Sequence, residues 1–412
     1  MPIIKNRLKN STFFAKLNYS RYFFYRYFIY RRFKSLMFIK GAIIEPIDNG
    51  INFFGYYNLS PENKWGELLF LSVKNENIRG SVDEPASIML KNKDGSSVKI
   101  GETKAWNWQQ GCMLQWHPLD QNQIIYNDYD EEKDIYISKI IDKTGSLIKD
   151  YKMPFNNVSN CGKYALTINY DRLTKMRPDY GYFNRKKLYL PEDKEDGIWK
   201  IDLFTNKIDL IISLEQLKQI KYTNTMDAAE HKINHIDINP SGNRFIFLHR
   251  WIGPKGRFTR LISANSNGSD IYILNGDKMT SHSCWLNEEE ILSFCEYNGK
   301  IGYFKFIDKK KSVSLFSEQF PLSDGHPSIS PNGKYIITDT YPDKSRFSSL
   351  YLYNVKKDKL YLLGKFYQPL RYDKEIRIDL HPKWGKDSRT IYFESGHEYY
   401  RKLYKLILPE YL

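Results

Sequence analysis

The sequence predicts an all-β protein, a seven-bladed β-propeller of four-stranded antiparallel blades, on three observations. Aromatic residues make up 16% of the 412 residues, with 32 Tyr and 24 Phe, and these side chains favour the half-buried pleated surface of a sheet. A hairpin unit is spelled out most plainly at 324–341, where a Ser-Pro-Asn-Gly turn at 330–333 leads into the β-branched run 335–340. A unit of that kind recurs seven times at the spacing of propeller blades.

The units follow in order from about residue 46. Blade one pairs residues 67–73 with 86–90 after the turn at 60–63, and blade two pairs 123–127 with 134–138 after His-Pro-Leu-Asp at 117–120. Blade three pairs 164–169 with 197–202, with a long insertion between them. Blade four follows the Asn-Pro-Ser-Gly-Asn turn at 239–243 with strands at 244–249 and 260–263, and blade five uses 290–294 and 302–306. Blade six holds the 324–341 hairpin and a second one at 349–363, and blade seven uses 390–394 and 402–406. Residues 213–220 have helical spacing and belong to an inter-blade insertion. Residues near 41–44 or 51–54 are expected to complete the seventh blade. The propeller therefore spans 46–412, and residues 1–45 form a separate N-terminal segment.

That segment differs from the rest. Between Lys5 and Lys40 there is no acidic residue, and Lys and Arg alternate with Phe and Tyr, as at 22–33. No uncharged apolar run there is long enough to span a bilayer or form the core of a secretory signal. A basic, aromatic stretch suits a membrane interface with anionic headgroups, the plain alternative being a poorly ordered tail. The net charge of +14 favours an anionic partner. Its concentration in the N-terminal segment rather than along a blade argues against a nucleic-acid binder. The four cysteines, at 112, 161, 284 and 295, are widely spaced and lack a Cys-x-x-Cys pair, which fits a reducing compartment. The expectation is a cytoplasmic protein, peripheral at the inner membrane.

Laying the units over one another by their turns brings histidines into register. His235 and His326 each stand five residues before the turn proline, and His282 and His381 stand ahead of the blade-five and blade-seven turns. Half of the eight histidines thus share one level of the axial strands, while blades one to three carry Tyr56, Met113 and Phe155 there. Two readings remain open. The repeat either favours His before Pro, as at 117, 326 and 381, or the imidazoles converge on a divalent metal, with Asp324 two residues before His326 as a further ligand. The blade-three insertion adds Arg177, Tyr180 and Tyr182. These either bind a carboxylate through the guanidinium fork and offer a phenol as acid, or simply pack across the propeller top.

Several stretches resemble, in order, the motifs of bacterial seven-bladed propellers related to oligogalacturonate lyase and propeller ulvan lyases, within the wider TolB-like and WD40-like class. They are residues 102–116, Arg-Pro-Asp-Tyr-Gly-Tyr at 177–182, Phe-Leu-His-Arg-Trp at 247–251, Asp-Gly-His-Pro-Ser at 324–328 with Thr-Asp-Thr-Tyr-Pro at 338–342, and Asp-Leu-His-Pro at 379–382. The resemblance implies β-elimination on a uronate-containing acidic oligo- or polysaccharide. It gives His249 the role of proton-abstracting base, Arg250 that of carboxylate holder, and His282 and His326 those of ligands to a divalent ion such as Mn, Zn or Ca. Where the lyase pattern has a second His two residues before the last ligand, this chain has Asp324. The proton beside a carboxylate leaves only when that carboxylate is neutralised, so metal or Arg250 holds it, His249 takes the proton and Tyr180 or Tyr182 protonates the leaving oxygen. The alternative is a non-catalytic, glycan-binding or scaffold propeller in bacterial surface-polysaccharide biosynthesis.

Overall fold

The computed structural model describes residues 36–76, 78, 80, 81, 83–276 and 279–412, with scattered positions between 17 and 29. Most of residues 1–40, through which contact with an anionic membrane surface is expected, therefore lie outside the described residues. Among the described residues no helix is long and apolar enough to cross a membrane.

Seven antiparallel sheets follow one another along the chain, with neighbouring strands adjacent in sequence except where an N-terminal strand joins the last two. The first strands of successive blades touch: Asn157–Val158 meets Glu230–Ile238, which meets Thr280–Trp285, then Ser328–Ile329, then Lys383–Trp384. They line the axis. Second strands are buried on both faces because a neighbouring blade covers each side. Leu68–Val73 accordingly reads as a near-continuous apolar run, whereas the next strand, Ala86–Lys91, alternates buried and half-buried residues.

The ring closes with an N-terminal strand. Ile43–Pro46 is the outermost strand of blade seven, pairing Ile43 with Ile407 and Pro46 with Tyr404, and Met37–Phe38 adds a fifth strand to blade six. The seam between blades seven and one is pinned by Glu394, which is fully buried. Its Oε1 accepts the Gly55 amide at 2.9 Å and its Oε2 accepts Arg401 Nη1 at 3.0 Å. Gly55, at φ 120°, passes so close to Gln110 that a Cβ there would stand 2.6 Å from the Gln110 carbonyl. Only glycine fits, and the turn it makes sends Tyr56 and Tyr57 down the axis.

Two insertions interrupt the sheets. The helical spacing at 213–220 is met by Leu214–Gln219, whose N-cap Ser213 accepts the Gln216 amide. The blade-three insertion contains a helix absent from the sequence reading, Tyr170–Met176, capped by Asn169, and then a 3-10 turn, Pro178–Tyr180. This insertion crosses the upper face of the disc. Asp179 Oδ2 accepts Arg377 Nη1 of the blade six–seven connection at 2.7 Å, and Met176 O accepts Lys232 Nζ of blade four at 2.8 Å.

Candidate functional site

The four histidines in register come together at the upper end of the axis. Ring centroids are 5.3 Å apart for His235 and His282, 4.1 Å for His282 and His326, and 4.2 Å for His326 and His381. His235 and His381 both adopt left-handed backbone, at φ 55° and 43°, as does Met113 at φ 54° in blade two. At these three positions the backbone takes a conformation that costs energy outside glycine, whereas His282 and His326 reach the same level without it. Tyr57, 5.3 Å from His326, donates its hydroxyl to Ser283 O at 2.8 Å, and Tyr56 is hydrogen-bonded to His235 Nδ1. The two tyrosines floor the pocket.

Carboxylates fix the imidazoles. Asp339 accepts His326 Nδ1 at 2.8 Å, the His326 amide at 2.7 Å and the His381 amide at 3.1 Å. Because a carboxylate only accepts, the His326 proton sits on Nδ1 and the Nε2 lone pair is left buried without a protein partner. Burial works against the charged form, yet the Asp339 carboxylate holds the His326 imidazole above its ordinary pKa. His381 is pushed well below it by burial and then by His326, so it is neutral, and neither of its ring nitrogens has a partner. Asp379 is next to them: Oδ2 accepts Arg377 Nε at 2.9 Å while Oδ1 is buried and unpartnered. Ligand atoms of His326, Asp379 and His381 all lie within 4.8 Å of one another. Two imidazole nitrogens and a carboxylate oxygen, each lacking a protein partner, with His326 backed by Asp339 and Asp379 by Arg377, fit a divalent cation. Asp324, grouped with the ligands on sequence, instead accepts His282 Nδ1 at 3.1 Å and Ser281 Oγ at 2.6 Å.

Guanidiniums ring the mouth. Arg377 contacts Asp179 and Asp379, and Arg177 Nε lies 3.0 Å from Asp179 Oδ1 with its guanidinium 4.9 Å from the Tyr180 ring centroid. Among the described contacts Arg250 has no carboxylate: Nη2 donates to Thr280 O at 3.3 Å and Nε is unpartnered. Burial, then Arg177, pushes its pKa down to about 10. Tyr180 is buried with its ring 5.4 Å from His235, and its hydroxyl has no partner. Lys232, paired across the sheet with Arg250, is pushed down to about 7 by burial, then by Arg250.

The structure does not bring every expected residue to this mouth. Tyr182 stacks on Tyr170 at 4.4 Å, and its hydroxyl accepts Asn127 Nδ2 within the core. His249 is buried on the face of strand Arg244–Gly253 opposite Arg250. Its Nδ1 accepts Arg260 Nη2 at 2.8 Å and its Nε2 meets His231 Nδ1 at 2.9 Å. Arginine only donates, so His249 carries its proton on Nε2 and gives it to His231, and both nitrogens are occupied. Asp379, Arg377 and Tyr57 escaped the sequence reading as site residues, whereas Asp339 is expected at the rim through its place at the end of its strand. Asp379 had a usable sign, since Asp-x-His-Pro occurs twice, at 324–327 and 379–382.

Among solved structures the chain is similar to an oligogalacturonate lyase from Vibrio parahaemolyticus, at 14% identity and a TM-score of 0.63 over 92% of this chain and 98% of that one. It is also similar to an oligogalacturonate lyase in complex with manganese, at 15% identity and a TM-score of 0.63 over the same shares. TolB from Acinetobacter baumannii matches at 14% identity and a TM-score of 0.40, over 73% of this chain and 63% of that one. Neither a protein-family model nor a curated protein sequence matches. The likeness at these identities is one of fold.

Proposed function

We propose that this propeller binds a uronate-containing oligosaccharide at the upper axial mouth and cleaves it by β-elimination. The observation that carries this reading is the convergence of unpartnered polar atoms there: His326 Nε2, both His381 nitrogens, Asp379 Oδ1, Arg250 Nε and the Tyr180 hydroxyl. Buried polar groups ordinarily have partners, so a cluster of exceptions is what a site awaiting a polar ligand leaves behind. The fold likeness to oligogalacturonate lyases, one of them described with manganese, supports the same reading.

His326, His381 and Asp379 would hold a divalent ion, which when bound supplies positive charge beside the substrate carboxylate. Arg250 is the guanidinium with charge to spare, and it takes the carboxylate and lowers the energy of the enolate-like charge that develops as the neighbouring proton leaves. Proton removal needs a lone pair near neutral pH. Apart from the proposed cation ligands, His235, held neutral by burial and then by His282, and Lys232, near 7, offer one. Tyr180, its pKa raised by burial, keeps its proton until the glycosidic oxygen departs and then donates it. An aqueous panel of galacturonate, guluronate and glucuronate oligomers tests this, because the unsaturated product absorbs in the ultraviolet. The signal is expected to rise with wild type and vanish in Arg250→Met and Tyr180→Phe. Loss in His235→Gln but not Lys232→Met assigns the base to the imidazole, and the converse to the amine. No signal from any oligomer removes the lyase reading.

One observation favours a second reading. His249, whose motif matches the base of the lyases, has both nitrogens engaged, as suits a propeller that binds an acidic glycan without turning it over. Calorimetric binding with no ultraviolet product distinguishes it.

A further inference from the structure

A second set of residues on the upper face is held in an arrangement that packing does not require. In the hairpin joining Thr390–Ser395 to Lys402–Ile407 of blade seven, Tyr399 sits at φ 79°. Glycine or asparagine takes such a position readily, and a bulky residue there is a local outlier that persists only when its surroundings hold it. They do. The Tyr399 amide donates to Gly396 O at 2.9 Å, and its carbonyl accepts both the Tyr372 hydroxyl, at 3.1 Å, and the Arg371 guanidinium. The side chains gained by this arrangement point outward: Tyr399 is 64% exposed and Tyr400 54%. The Arg371 guanidinium lies 5.3 Å from the Tyr400 ring centroid and 5.0 Å from that of Tyr372. Its charge is matched by Glu76 at 2.9 Å, so the platform offers aromatic faces rather than an anion site.

Its place in the fold ties it to the mouth. Arg371 and Arg377 belong to one connection between blades six and seven, and Arg377 contacts Asp379 of the cation triad. Six residues of chain span at most about 20 Å, so Arg371 of the platform lies within that reach of Arg377, which contacts the cation triad. A pyranose has an apolar C–H face of the kind that rigid, amphipathic tyrosine rings cover. We propose that Tyr399 and Tyr400 form a distal subsite that stacks on a sugar of the oligosaccharide whose reacting uronate lies at the axial mouth. The inference rests on the glycan-binding reading of that mouth and adds to it a preference for longer chains.

The test is calorimetric titration of the full chain with short and long oligomers of galacturonate, guluronate and glucuronate, comparing wild type, Tyr400→Ala and Tyr399→Gly. The last variant removes a ring while relieving the backbone, so its fold is expected to be intact, checked by its urea-unfolding midpoint. Wild type should bind long oligomers more tightly than short ones, and each variant should bind the long ones roughly threefold to tenfold more weakly and the short ones equally well. Short oligomers bound normally with no loss on long ones rejects the platform alone, as does an equal loss at every length. A wild type that binds no oligomer of any length overturns the reading of the mouth and the platform with it.

Discussion

Arg250 should cost the folded protein stability that it returns only when a carboxylate arrives, and Arg250→Met tests this directly. The guanidinium is pushed from 12.5 to about 10 by burial, then by Arg177. A depressed basic group is one that the folded chain protonates less readily than the unfolded chain does, so the penalty is present at every pH below about 10. A shift of that size corresponds to about 3 kcal/mol for a fully enclosed group, and to about 2 kcal/mol at a partly exposed one. Methionine forfeits the bond from Nη2 to Thr280 O, worth about 1 kcal/mol, while its unbranched stem keeps most of the packing. The net expectation is a variant more stable by about 1 kcal/mol, read as an upward shift of the urea midpoint at pH 7. Its affinity for uronate oligomers should fall by about 2 kcal/mol or more, read by calorimetry. A variant less stable than wild type by more than 1 kcal/mol would show that Arg250 is a structural cation. Unchanged affinity would remove it from the site.

Three further outcomes follow from groups already described. His231 is held down to about 4 by burial, then by Lys218. The folded chain therefore binds fewer protons than the unfolded one between about 4 and 6.5, and stability complete above that window should fall by about 3 kcal/mol as pH drops through it. His231→Phe should flatten that slope in urea midpoints at pH 7 and 4.5. Glu394→Gln strands the buried Arg401 and Lys383 and should destabilise by about 3–5 kcal/mol in the same assay. Manganese should bind at one equivalent per chain by calorimetry, be lost in His326→Ala and Asp379→Asn, and weaken about tenfold to a hundredfold in Asp339→Asn, which leaves His326 without its orienting carboxylate.

What was legible in the sequence was whatever is local or periodic. Turn residues and alternating strands recur within each blade, so the number of blades and the axial level of His235, His282, His326 and His381 follow from spacing. Facing direction is different. His249 and Arg250 are neighbours, and alternation along a strand sends them to opposite sides; because other blades bury both sides, hydrophobicity does not say which one faces the axis. The insertion poses the same difficulty in another form. Tyr180 and Tyr182 are two residues apart, yet the 3-10 turn aims one at His235 and the other into the stack with Tyr170. Asp379 and Arg377 meet the histidines only through the path of a long connection, which no pattern in their own neighbourhood encodes.

The pairing of Ile43–Pro46 with Lys402–Ile407 has a consequence for biosynthesis. A ribosome makes the early partner first and must release nearly the whole chain before the late one exists. Until then an edge of blade seven stays open to solvent, and the imidazoles, themselves made in the second half, have no rigid hoop to keep them at fixed separations. Loss of Lys402–Ile407 would accordingly unseat Ile43–Pro46, far off in the polypeptide, and slacken a pocket that touches neither.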